Sequence, residues 1–184
     1  MSGASRPSGP SGQRAQGGHH GQQPGAAADA GDGRLAAQRD AACPLCSGDG
    51  GELVVRGPRW RVILAGDADH PAFTRVVWHA HVAEVSELDD ESRRELFDVA
   101  LTIERTQREV LAPDKINWAS FGNVVPHLHW HVIPRWRDDR HFPEPVWGRP
   151  AGAERDAAAQ ARARAVTARL DAYRGALIER LAAR

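Results

Sequence analysis

The feature that most constrains this chain is the run Asn123 to Arg135, which reads NVVPHLHWHVIPR. His127, His129 and His131 alternate in it with Leu128, Trp130 and Val132. A period of two sorts these residues onto opposite faces of an extended strand. The apolar set needs a core to bury against, so the run predicts a sheet covered on one side, with three imidazoles facing a common surface on the other. Three imidazoles so placed can hold a metal, act on a substrate or decorate a strand. Decoration is the weakest reading, because a packing surface is more simply built from Val or Thr, which bring no titratable group to desolvate.

The remaining sequence supplies the sheet and its cover. ELVVR, RVILA and FTRVVWHAHV are short apolar or alternating runs separated by Gly, Pro and Asp, which is strand and turn chemistry. A helix is predicted next, starting near Asp89, with Leu96, Ala100, Ile103 and Val110 on one stripe and Pro113 closing it. KINWASF and HLHWHVIP are two further strand candidates, with Trp130 and Trp118 read as core filling behind the histidines. After the irregular stretch RDDRHFPEPVWGRP, Val166, Leu170, Tyr173, Leu177 and Leu181 recur at helical spacing. They predict one terminal amphipathic helix, docked on its own domain or on a partner. The expected organisation is a tail over 1–40, a folded domain over 41–148 and a C-terminal helix over 149–184. The tail holds half of the chain's 18 Gly and almost no core-forming side chain, so it is expected to be disordered, with His19 and His20 merely solvated. GDGRLA, at 31–36, matches half of a dinucleotide fingerprint but follows no strand.

Composition narrows the function classes. Lys and Arg number 24, as do Asp and Glu, so there is no charge-based reason to expect a nucleic-acid polymer or an anionic membrane as partner. Lys115 is the only lysine, which excludes a P-loop. No apolar run approaches the roughly 20 residues needed to span a bilayer, and no signal-peptide core is evident. A cytoplasmic location is the default expectation. Cys43 and Cys46 are too close in sequence to staple a fold; a C-x-x-C pair in a reducing compartment is a metal half-site, a redox pair or two buried thiols. The zinc deaminase pattern is absent, since the cysteines come first and no His-x-Glu occurs.

The run HLHWHVI, with Gly122-Asn123-x-Val125-Pro126 before it and Pro134-Arg135 after it, resembles the histidine-triad (HIT) family. The likeness extends over roughly Cys43 to Trp147 and includes CPLC, HAHVAEVSEL and the following helix. It implies an α+β fold with an antiparallel sheet, a long helix packed on it and, here, an added C-terminal helix. It also implies a nucleotide substrate: such proteins hydrolyse dinucleoside polyphosphates or nucleoside phosphoramidates, or transfer nucleotidyl groups. His129 would be the nucleophile, attacking the α-phosphorus to form a nucleotidyl-histidine, and His131 would donate to phosphate oxygens or assist the leaving group. Asn123 stands where members often carry Gln, and Asn117 where a nucleotide-contacting polar residue is often found. No organic cofactor is implied, and many members are homodimers.

The same resemblance gives the cysteines a role. Some bacterial members hold structural zinc with such a pair, a histidine before the helix and the first triad histidine, which correspond to Cys43, Cys46, His81 and His127, with His79 competing for the place of His81. A hydrolase is favoured over hexose-phosphate uridylyl transfer because the predicted core is short and lacks His-Pro-His; water and phosphate both remain open as acceptors. Two other classes compete with this reading. One is a metal-dependent hydrolase using all three histidines as ligands; the other is a nucleotide-binding or interaction module with little activity.

Overall fold

The structure, a computed structural model, describes residues 39–182. The expectations for the N-terminal tail, with His19, His20 and GDGRLA, lie outside the described residues. A short helix α1 (Pro44–Ser47) leads into three strands, β1 (Glu52–Arg56), β2 (Trp60–Leu64) and β3 (Thr74–Trp78). The long helix α2 (Asp90–Leu111) follows, then β4 (Lys115–Ala119) and β5 (His129–Arg135), and finally α3 (Asp156–Thr167) and α4 (Leu170–Ala182). The sheet runs β1-β2-β3-β5-β4, with every neighbouring pair antiparallel. This is the α+β architecture, an antiparallel sheet with a long helix packed on it, that the sequence predicts.

Local chemistry accounts for α2. Asp89 caps it by accepting a hydrogen bond from the Ser92 backbone N–H at 2.7 Å, and Asp90 and Glu91 in the first turn complement the helix dipole. At the far end Ala112 turns left-handed at φ 52° immediately before Pro113. Leu96, Val99, Ala100, Ile103 and Leu111 form the buried stripe. It packs on the sheet face carrying Val62, Leu64, Val76 and Val132. Gln107 reinforces that contact from inside the core, donating to the carbonyl oxygens of Val132 at 3.0 Å and Ala72 at 3.2 Å.

Three elements depart from the sequence-based expectation. The ladder of β3 ends at Trp78, so His79 and His81 leave the sheet and do not share a strand face. Similarly, β5 starts only at His129: Leu128 donates to the Val82 carbonyl at 2.6 Å and accepts from the Trp78 backbone N–H at 3.0 Å. His127 is thereby held beside the end of β3. The C-terminal segment is two helices, broken where the Arg169 N–H bonds back to the Val166 carbonyl at 2.9 Å, an i to i−3 turn tighter than the α-helix. The break lets α4 bury Leu170, Tyr173, Leu177 and Leu181 in the same core as α2, with the Tyr173 hydroxyl 2.8 Å from Thr74 Oγ1. The helix thus docks on its own domain. Trp118 and Trp130 are half-buried at the rim of the core, around Phe97, and their indole N–H groups have no partner among the described residues.

Candidate functional site

The sheet face away from α2 carries the chemistry. Register places Arg75 opposite His131, Val77 opposite His129, and Ala119 beyond His131 on the edge strand. The segment around α1 covers one half of this face, where Cys43, Leu45 and Cys46 pack on Ile63 and Val77.

Two groups of side chains result. In the first, His127 Nε2 donates to the Trp78 carbonyl at 2.7 Å, which leaves the Nδ1 lone pair pointing at the thiols. Its Nδ1 lies 3.5 Å from Cys43 Sγ and 3.4 Å from Cys46 Sγ, and His81 Nδ1 lies 3.3 Å from Cys46 Sγ. All four ligand atoms fall within 4.8 Å of one another. Tetrahedral zinc with Zn–S of about 2.3 Å and Zn–N of about 2.0–2.1 Å spaces its S and N ligands by about 3.5 Å, so the donor set fits that ion. Cys43, Cys46 and His127 are buried, and neither cysteine forms a disulfide. Burial pushes the His127 pKa down and keeps the ring in the neutral form that a metal ligand requires. His79 is elsewhere, with Nδ1 3.2 Å from the Pro58 carbonyl.

The second group lines a cleft of about 610 Å³ whose walls include Leu45, Gly50, Arg75, Asn123, His129 and His131. The wall at Gly50 needs glycine for its φ of 83°, a left-handed conformation that strains any L side chain. His129 Nδ1 lies 2.6 Å from the His127 carbonyl oxygen, so it carries the proton and Nε2 keeps the lone pair. Burial lowers the pKa of His129, which favours the neutral ring. His131 is more extreme. Burial, then the His129 and Arg75 charges, push it down to about 3. Both of its ring nitrogens are enclosed without a partner among the described residues, and the rings of Trp147, Phe73 and Phe121 stand 5.2, 5.3 and 6.0 Å away.

Comparison with known proteins identifies the domain that carries the three alternating histidines. Residues 51–138 match the family profile described as the HIT domain. The chain carries a HIT domain. Over 105 residues it is 30% identical to the AP-4-A phosphorylase of Mycobacterium tuberculosis (strain H37Rv), an alignment covering 54% of each chain. The chain therefore spans about half the length of the curated relatives it matches. A solved histidine triad protein from Bradyrhizobium japonicum is 29% identical, with a TM-score of 0.51 over 66% of this chain and 91% of that one. A zinc-bound histidine triad family protein from Mycobacterium smegmatis, 22% identical, shares the fold with a TM-score of 0.50, over 78% of this chain and 98% of that one.

Within the HIT domain the two asparagines take different places. Asn123 lies on the cleft. Asn117 shares the histidine face of the sheet, but its Oδ1 accepts from Arg135 Nη1 at 2.7 Å, and it lines a larger, shallower groove of about 770 Å³ along the edge strand that contains none of the three histidines. Arg135, read in the sequence only as a flank of the triad run, has a role that sequence reasoning did not assign. Fully buried, it donates to both Asp139 carboxylate oxygens at 2.7 and 3.0 Å and to the Glu144 carbonyl at 2.8 Å. Asp139 also accepts from the backbone N–H groups of Trp136, His141 and Phe142. As far as Glu144 this network organises the stretch that reads as irregular, and Trp147, three residues on, lies against His131. The network's one sequence signal is an Arg and an Asp four residues apart. No helix among the described residues is long and apolar enough to cross a membrane.

Proposed function

We propose that this HIT domain cleaves dinucleoside polyphosphates, and nucleoside phosphoramidates, at the α-phosphorus, with His129 as nucleophile. The observation that carries the reading is the tautomer of His129. Its Nδ1–H is committed to the His127 carbonyl at 2.6 Å, so Nε2 is the lone-pair nitrogen on the cleft. A ring held in that tautomer attacks without first losing a proton, and the same carbonyl stabilises the cation as the P–N bond forms. With diadenosine tetraphosphate the α-P–O bond breaks, the electron pair leaves with ATP, and adenylyl-His129 remains. Water then yields AMP, or inorganic phosphate yields ADP, and His129 is regenerated. The AP-4-A phosphorylase relative favours phosphate as acceptor for the polyphosphate substrate.

His131 and Asn123 are assigned to the phosphate. The unpartnered nitrogens of His131 supply one N–H toward the oxygens where charge develops, and the Asn123 amide reaches the same cleft from the loop. Asn117 acts through Arg135 as a positioning residue. Cys43, Cys46, His81 and His127 would hold zinc in a closed site that supplies folding free energy and no step of the reaction. A catalytic ion on all three histidines is disfavoured, because His127 turns its free nitrogen to the thiols and His129 Nδ1 is already bonded.

The test is chromatography of products from diadenosine tetraphosphate and an adenosine phosphoramidate, with and without inorganic phosphate, for the native protein and folded His129→Ala. AMP or ADP released by the native protein and lost in the variant supports the reading, with phosphate-dependent ADP marking a phosphorylase. Equal activity in both proteins, or none in either, overturns it.

A further inference from the structure

Arg75 is an unusual residue for the middle of a sheet. It sits in β3 between Ile63 of β2 and His131 of β5, on the histidine face, and its side chain lines the cleft with His129 and Asn123. Among the described residues no carboxylate or carbonyl partners its guanidinium. Its Nε is enclosed without an acceptor, and the group lies over the Phe73 ring at 5.2 Å. Asp67 acts on it electrostatically but forms no ion pair with it.

These facts weigh against a purely structural role on energetic grounds. A guanidinium stays protonated at any physiological pH, and leaving one of its donors buried and unpaired costs more than an ordinary hydrogen bond returns. A strand position beside Ile63 and against the Phe73 ring would be filled at lower cost by Val or Leu. Held against an aromatic face, the planar fork is ready for a bidentate anion, and two neutral imidazoles beside it contribute no competing charge.

Register says which part of an anionic substrate it meets. The nucleophile His129 stands opposite Val77, whereas Arg75 stands opposite His131, two residues and about 6.5 Å further along the strand. We propose that Arg75 binds the phosphoanhydride chain beyond the reacting phosphorus and so makes the cleft selective for polyphosphorylated leaving groups over uncharged amines. This rests on His129 as nucleophile. Arg75 touches substrate, and its contribution grows with the number of phosphates the leaving group carries.

The experiment compares native protein, Arg75→Leu and Arg75→Lys, each checked for folding by thermal melting. It measures kcat/KM for diadenosine tetraphosphate and for an adenosine phosphoramidate, and the affinity for inorganic tripolyphosphate by calorimetry. Expected are a loss of about 10- to 100-fold in kcat/KM for the tetraphosphate in Arg75→Leu, a change under about 3-fold for the phosphoramidate, weakened tripolyphosphate binding, and partial recovery of tetraphosphate turnover and tripolyphosphate binding in Arg75→Lys. Equal losses on both substrates, or no loss on either, overturn the assignment. If the native protein turns over neither substrate, the His129 reading has failed. The tripolyphosphate arm then decides Arg75 alone: binding that is unchanged in Arg75→Leu, or absent from the native protein, overturns it.

Discussion

His127 and His131 are four residues apart on one run of chain, yet the environments they enter are opposites. His127 has a partner for each nitrogen, the Trp78 carbonyl for one and the two thiols for the other. Among the described residues His131 has none for either, although it is as thoroughly enclosed. Buried polar groups are normally satisfied, so an imidazole with both nitrogens partnered reads as architecture, whereas one with neither partnered and lining a cleft is open to a ligand. On the proposed reading, the difference separates a closed cluster that would hold the fold from an open cleft that would act on a ligand.

The largest effect should come from exchanging the two kinds of residue. His129→Ala is expected to lower turnover of diadenosine tetraphosphate by at least about 10³-fold with an unchanged melting temperature. Steady-state kinetics beside a thermal melt check this, and a large fall in melting temperature would erase the distinction. Cys43→Ser should do the reverse. Zinc measured by elemental analysis should fall from one per chain to none, and melting should drop by about 10 °C or more, while activity per folded molecule at low temperature stays within about 3-fold. A native protein purified without zinc that melts identically to the variant would refute the structural role.

Acid should sharpen the contrast. His131 has a folded pKa near 3 against 6.5 for the free side chain, so between these values the unfolded chain binds the extra proton. The stability this burial allows is complete above about pH 6.5 and drains away as pH falls. Native protein should therefore lose stability more steeply from pH 7.5 to 5 than His131→Gln in denaturant titrations; parallel slopes would contradict the enclosure of that ring. The smallest effect is expected from Asn123→Ala, a rise in KM of about 3- to 10-fold with kcat within about 2-fold, because the residue sits on an exposed loop. A fall in kcat alone would place it in the transition state instead.

Much of the fold is legible in local pattern. Asp89 as cap, the stripe from Leu96 to Ile103 and Pro113 beyond the end define α2 through interactions within a few residues of one another. The alternation in β5 likewise assigns Val132 and His131 to opposite faces by its period alone. The breaks in that pattern are not legible. His127 leaves the ladder because Leu128 bonds to Val82, and the C-terminal segment folds as two helices because its second half must meet the core beside α2.

The candidate site divides along the same line. Residue type and period are local properties, and they suffice to name the side chains able to do phosphorus chemistry or to bind a soft metal. Folding in three dimensions settles the rest: that His81, not His79, meets Cys46, that Arg75 enters the histidine cleft, that Arg135 pairs with Asp139, and that Trp147 lies against His131. The physical reason is separation along the chain. Cys43 and His127 meet across 84 residues, and Arg75 reaches His131 only through strand register, so each contact depends on the closure of the whole sheet.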